Sequence, residues 1–271
     1  MLSYRSLLGP LNPAAVGDAL NLQAADAIDA YLLSGGLPGI LRAWPDSVPA
    51  LEFAERECAD PASPLFGVPE AGLLAEFPAP DVTRRVIEAV GGGDRTHANI
   101  AAEAGSRAGA IPSGTLRFHL AIGRAAHELS RRGRVTAAET LINRRWASWR
   151  GRAVEPVIRE ALTLAAADFP WPEATAVGGW WNRAFDPEVD LIGAGRVPVA
   201  RKLWYAGSVK WLGHPFGTRE LGELQRAAPQ VPGFDPGETA LIGVSRTGFT
   251  DSADRSLALC WLPGDIVNAF A

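Results

Sequence analysis

The chain is most constrained by a change of hydrophobic period near Trp146. Before it, apolar residues recur at helical spacing; after it, short alternating runs dominate, broken by turn residues. Ala174–Trp181 and Glu188–Ala194 are expected strands, joined by the hairpin-length segment Asn182 to Pro187. Lys202–Trp211 is a third expected strand, Thr218–Ala228 a helix and Thr239–Ser245 a fourth strand. Leu257–Leu262 supplies a fifth, and Asp265–Phe270 a closing helix. Just upstream, Val157, Ile158, Leu162 and Leu164 predict a helix with Pro156, and so Glu155, in its first turn. This order implies a mixed sheet with helices on it.

The first part predicts short helices. Pro10 and Pro13 mark a loop, and Ala24 to Leu33 is helical up to Gly35-Gly36-Leu37-Pro38-Gly39. A Gly-Gly-x-Pro cluster stops one helix and aims the next. A further helix covers Pro49 to Cys58, and Pro61 to Pro69 is expected to be loop. Residues 81–104 have the pattern of the first two helices of a helix-turn-helix: Val82, Val86 and Val90 share a face, Gly91-Gly92-Gly93 ends it, and Thr96 caps the next. A helix capped by Ser113 then runs to about Arg131, with Phe118, Ile122, Ala125 and Leu129 inward and Arg117, Arg124 and Arg131 opposite. That basic stripe stands where a recognition helix would sit, but no alternating wing follows it; a solvated Arg face explains it equally. Thr136–Arg145 is again helical.

Charge is uneven. Residues 81–150 hold twelve Arg against six acids, whereas residues 1–80 hold three Arg against ten acids, within a net charge of −4. A basic middle attracts phosphate backbone or docks on acidic parts of its own chain. Lysine occurs only at Lys202 and Lys210. Cys58 and Cys260 form no metal-ligand spacing and fit a reducing compartment, so a cytoplasmic protein is expected, with no signal peptide and no membrane-spanning run. His97, His119, His127 and His214 are scattered and predict no zinc site. The tryptophans are expected in the core, except that Trp180 and Trp181 must point to opposite faces, leaving one near a surface.

Glu188 and Asp190 share one strand face, and so do Ser208 and Lys210 on the next strand. Carboxylates on adjacent strands with a lysine nearby are what a Mg²⁺-dependent phosphodiesterase uses to hold metal and orient water. The bland alternative is a charged network that orders the sheet, with Lys210 paired to Asp190.

Trp149-Arg-Gly-Arg-Ala-Val-Glu155, Gly178-Gly-Trp-Trp181, Glu188-Val-Asp190-Leu-Ile and Gly207-Ser-Val-Lys210-Trp211 resemble the C-terminal domain of archaeal-type ATPases, a family also found in bacteria. The tail of that family is related to restriction-endonuclease-like (PD-(D/E)xK) nucleases. Tyr31 to Trp44 is similar to the helix that follows the ATPase core, and Asp94 to Gly105 to its winged-helix segment. The resemblance implies a site made of Glu155, Asp190 and Lys210, with Asp190 as any metal ligand. Ser208 stands where the second acid belongs, and Glu188, on the same face as Asp190, is its nearest substitute. No GxxxxGK[ST] loop is present, so ATP is not cradled by that route, and the chain begins where the ATPase core would end. On the family pattern Ile111 to Thr115 runs straight into Leu116-Arg-Phe-His-Leu120, which deletes the recognition helix and removes that role from Arg117, Arg124 and Arg131.

The expectation is therefore an α+β chain. Residues 1–80 form lid-like helices, 81–135 a partial winged helix, and 136–271 a restriction-endonuclease-like domain with a central mixed sheet. Three functional readings follow. The first is a non-catalytic ATPase-family module that docks on a separate ATPase chain or other protein. The second is a DNA-binding protein using the basic middle. The third is a weak Mg²⁺-dependent nuclease. No cofactor beyond Mg²⁺ is implied.

Overall fold

The computed structural model describes residues 9–60, 62–76, 113–182, 186–196 and 200–271. The expected helix-turn-helix over residues 81–104 lies outside them. The chain is mixed α+β and divides into two compact units, Met1–Trp149 and Arg150–Ala271.

The regular elements of the first unit, among its described residues, are all helices. Helix α1 (Pro13–Leu20) starts on Asn12, whose side chain accepts from the Ala15 N–H at 2.8 Å, with Pro13 in the first position. α2 (Ala24–Ser34) stops at Gly35 and Gly36, both at positive φ (63° and 67°). A Cβ on Gly36 would fall 1.9 Å from the Leu11 carbonyl oxygen, so only glycine lets the chain cross here. Pro38 then opens α3 (Pro38–Leu41), as the Gly-Gly-x-Pro cluster predicts. α4 is Ala50–Cys58 and α5 is Pro64–Glu76. The segment expected as loop over Pro61 to Pro69 is thus largely helix. Ser63 caps it through the Leu65 N–H, Pro64 takes the first turn, and Leu65 and Phe66 are buried; Pro69 costs the helix one bond but does not stop it.

After Ser113 the helix is not uniform. α6 (Ser113–Phe118) passes through a π turn, His119–Gly123, into α7 (Arg124–Arg131). The wider turn carries one extra residue, which rotates everything beyond it by about 100°. The buried face accordingly runs Phe118, Ile122, Ala126, and Ala125 is exposed, where regular spacing had put Ala125 inward.

Helix α8 (Val135–Leu164) corrects a second expectation. Two helices, the second starting at Pro156, are instead one 30-residue helix with Pro156 inside it. The reason is the apolar stripe. Trp146, Trp149, Ala153, Val157 and Ala161 are buried at spacings of three and four, and they continue across the proline without a break. The expected boundary at residue 136 falls at the start of α8, whereas the two units divide within it, after Trp149.

The second unit carries a five-stranded open sheet. β1 (Ala176–Trp181), β2 (Glu188–Ala194) and β3 (Leu203–Lys210) pair antiparallel, and β4 (Ala240–Ser245) and β5 (Leu259–Trp261) add on in parallel, in the order β1-β2-β3-β4-β5. The strands fall close to their expected ranges. α9 (Thr218–Ala227) crosses from β3 to β4, followed by short α10 (Asp251–Asp254) and α11 (Pro263–Asn268). Leu221 and Leu224 of α9 share a core cluster with Ile192 and Ala206, so α9 covers the face those residues point to. Of the tryptophan pair, Trp180 packs against this cluster and Trp181 is exposed. Among the described residues no helix is long and apolar enough to cross a membrane.

Candidate functional site

Strands β2 and β3 run side by side with Leu191 opposite Gly207 and Ile192 opposite Ala206. Alternation then places Ser208 and Lys210 on the face of Ala206, beneath α9, and Asp190 on the same face of the neighbouring strand. The pairing brings Asp190 and Ser208 together. Oδ2 of Asp190 accepts from the Ser208 hydroxyl at 2.9 Å and from the Val209 N–H at 2.8 Å. The carboxylate is half-buried, and both donors come from β3.

Lys210 is not paired to Asp190, as the charged-network alternative had it. Its Nζ lies 3.8 Å from Oε2 of Glu223 on α9, and Glu223 is also held by Arg219 at 3.0 Å. The carboxyl of Glu220, one turn earlier, is burdened by burial. Its bonds from the N–H groups of Gly217 and Glu220 itself, with Lys210 and His214 nearby, outweigh that cost and hold it below the usual range. The lysine therefore faces acids supplied by α9, none of which the sequence pattern singled out.

Glu155 stands in the interior of α8, not at a helix start. Its Oε2 is bound by Nη2 of Arg159, one turn on, at 2.9 Å. The same guanidinium donates to the backbone oxygen of Asp190 from Nε (3.2 Å) and Nη2 (2.9 Å). It fits because residue 179 is glycine: a Cβ there would lie 2.7 Å from Nη2 of Arg159, beside the irregularity in β1 between Gly178 and Trp180. Glu188 is exposed at the start of β2, opposite Trp181. Arg159 is the residue that sequence reasoning missed, since an acid and an arginine four apart on a helix look like an ordinary surface pair.

The donor set is a poor one for a divalent cation. Its hard oxygen ligands would have to come from Asp190, whose Oδ2 already accepts two hydrogens, and from Glu155, whose Oε2 is bound by Arg159. Among the described residues no three His, Cys, Asp or Glu side chains gather at metal-binding distance.

The basic stripe changes as well. Arg117 precedes the π turn while Arg124 and Arg131 follow it, so the rotation takes Arg117 out of their row. Arg117 and Arg124 are half-buried and Arg131 is exposed. Near them, His119 is buried and bonds Glu70 through Nε2 at 2.9 Å, and His127 stacks on Phe66 with ring centroids 4.8 Å apart. Burial, and secondarily Arg131, holds the His127 imidazole below its ordinary pKa.

Comparison with family models, with curated proteins and with solved structures finds no match to this chain.

Proposed function

We propose that residues 150–271 are a restriction-endonuclease-like domain whose metal site has been dismantled, and that the chain acts as a non-catalytic module of the archaeal-type ATPase family, docking on an ATPase chain or another protein. The observation that carries this reading is the 2.9 Å bond from Ser208 to Asp190. A neutral donor occupies the position from which a second carboxylate would share a cation with Asp190. Instead of concentrating negative charge, the pair neutralises part of it.

Three features support the kinship. The second unit has the order helix, three strands, helix, strand on a mixed sheet. Asp190 and the Ser208–Lys210 strand meet on one face, and Arg159 ties Glu155 of the helix to the Asp190 strand. These 271 residues contain no GxxxxGK[ST] phosphate loop.

Supercoiled DNA incubated with Mg²⁺ or Mn²⁺ tests the inert site. The expected result is no nicking and no binding heat on metal titration. Nicking that disappears in Asp190→Ala would sink the reading. For the docking half, a chain bearing a phosphate-loop ATPase domain is expected to co-purify with the tagged protein, and its absence under gentle lysis counts against that half.

A further inference from the structure

Under the proposed reading, the acids of this site have lost their metal, yet they are not left uncompensated. Arg159 bonds the Glu155 carboxylate and the backbone of the Asp190 strand at once, while the Asp190 carboxylate is met by Ser208 and Val209. One of the Arg159 nitrogens, Nη2, lies 2.9 Å from the Glu155 carboxylate and 2.9 Å from the Asp190 carbonyl, and Nε lies 3.2 Å from that same carbonyl. A planar guanidinium with several fixed donors suits this bridging better than an ammonium would. At Gly179 a Cβ would lie 2.7 Å from Nη2, so a side chain there makes the guanidinium shift. Glu155 and Arg159 side chains are 23% and 28% exposed, so water screens the pair only in part.

We propose that Arg159 is the resident cation of this site. It binds permanently where a nuclease of this layout binds a divalent ion reversibly, fastening the helix acid to the Asp190 strand. The same guanidinium keeps metals out, because an incoming cation meets a positive charge already bonded to Glu155. Ser208 removes one ligand and Arg159 blocks another, so restoring the acid at position 208 does not by itself rebuild a metal site.

Mn²⁺ is titrated calorimetrically into the wild type, Ser208→Asp, Ser208→Asp with Arg159→Met, and Ser208→Asp with Arg159→Lys, each checked for folding by circular dichroism. The Arg159→Met double variant is expected to bind Mn²⁺ at least about tenfold tighter than Ser208→Asp alone. The Arg159→Lys double variant is expected to behave like Ser208→Asp, since the positive charge stays. Equal binding by Ser208→Asp and the Arg159→Met double variant overturns the role of Arg159 while leaving the nuclease kinship intact. A folded Arg159→Met double variant that gives no heat overturns both. If that variant does not fold, Gly179→Ala with Ser208→Asp displaces the guanidinium from the other side and is judged by the same two outcomes.

Discussion

Ser208 donates its hydroxyl proton to Asp190 across the β2–β3 pair, and the next N–H on the same strand, that of Val209, donates to the same oxygen. The two bonds make the carboxylate a fixed part of the sheet. A hydroxyl bond to an ionised acceptor contributes roughly 1.5–3 kcal/mol, and partial exposure brings the value here to the low end. Ser208→Ala is therefore expected to lower stability by about 1 kcal/mol, since Asp190 keeps its Val209 donor. The urea midpoint checks this; an unchanged midpoint would show that water replaces the hydroxyl without loss.

One residue earlier than Ala206 on β3, Tyr205 is 1% exposed and its hydroxyl has no hydrogen-bond partner among the described residues. Burial alone pushes its ionisation well above the ordinary tyrosine range. A buried hydroxyl without a partner costs about 1–3 kcal/mol. Tyr205→Phe is expected to be as stable as the wild type or more stable. On the facing strand, Gly193 has no room for a methyl: its Cβ would fall 2.2 Å from Cε1 of the Tyr205 ring. Gly193→Ala is expected to cost about 1–3 kcal/mol, and Tyr205→Leu in the same chain to recover part of that. Equal denaturation midpoints for Gly193→Ala and wild type would refute the close approach.

Cys58 is fully buried, and its thiol donates to the Glu55 carbonyl at 2.9 Å. Burial, and then Glu139 and Glu55, push its pKa up to about 11. The folded state thus holds the thiol proton more tightly than the unfolded state, whose thiol titrates near its ordinary value of about 8.5. The stabilisation is complete below that value and is lost as pH rises from there through about 11. Cys58→Ala is expected to flatten the fall in melting temperature between about pH 9 and pH 11. Alkylation of native Cys58 at neutral pH should be slow and should follow unfolding; rapid labelling of the folded protein would contradict its burial.

How much of this was legible in the sequence depends on which forces decide each part. The sheet was, because period-2 alternation bounded by Gly, Pro and Asn is local information: β2 matches Glu188–Ala194 to the residue, and β3 differs by one at each end. The fusion of α8 through Pro156 was not, because a proline is a strong local stop that only the buried stripe on either side can override. At the site, the shared face of Asp190 and Ser208 followed from alternation. The partner of Lys210 did not, since Glu223 comes from α9 and meets the lysine only through tertiary packing. Arg159 escaped notice for the opposite reason: its pairing with Glu155 is local, but its bond to the Asp190 carbonyl is not.

The π turn at His119–Gly123 makes two adjacent alanines a direct test of helix phase. In a uniform helix, Ala125 would continue the face of Phe118 and Ile122, and Ala126 would lie about 100° away. The extra residue reverses their roles: Ala126 is fully buried and Ala125 exposed. Ala125→Glu should stay within about 0.5 kcal/mol of wild type. Ala126→Glu buries a carboxylate without a partner and should be far more damaging, by roughly 3 kcal/mol or more. The same rotation separates Arg117 from Arg124 and Arg131. If the two alanine positions respond in the reverse order, the helix is regular there and the three arginines form one row after all.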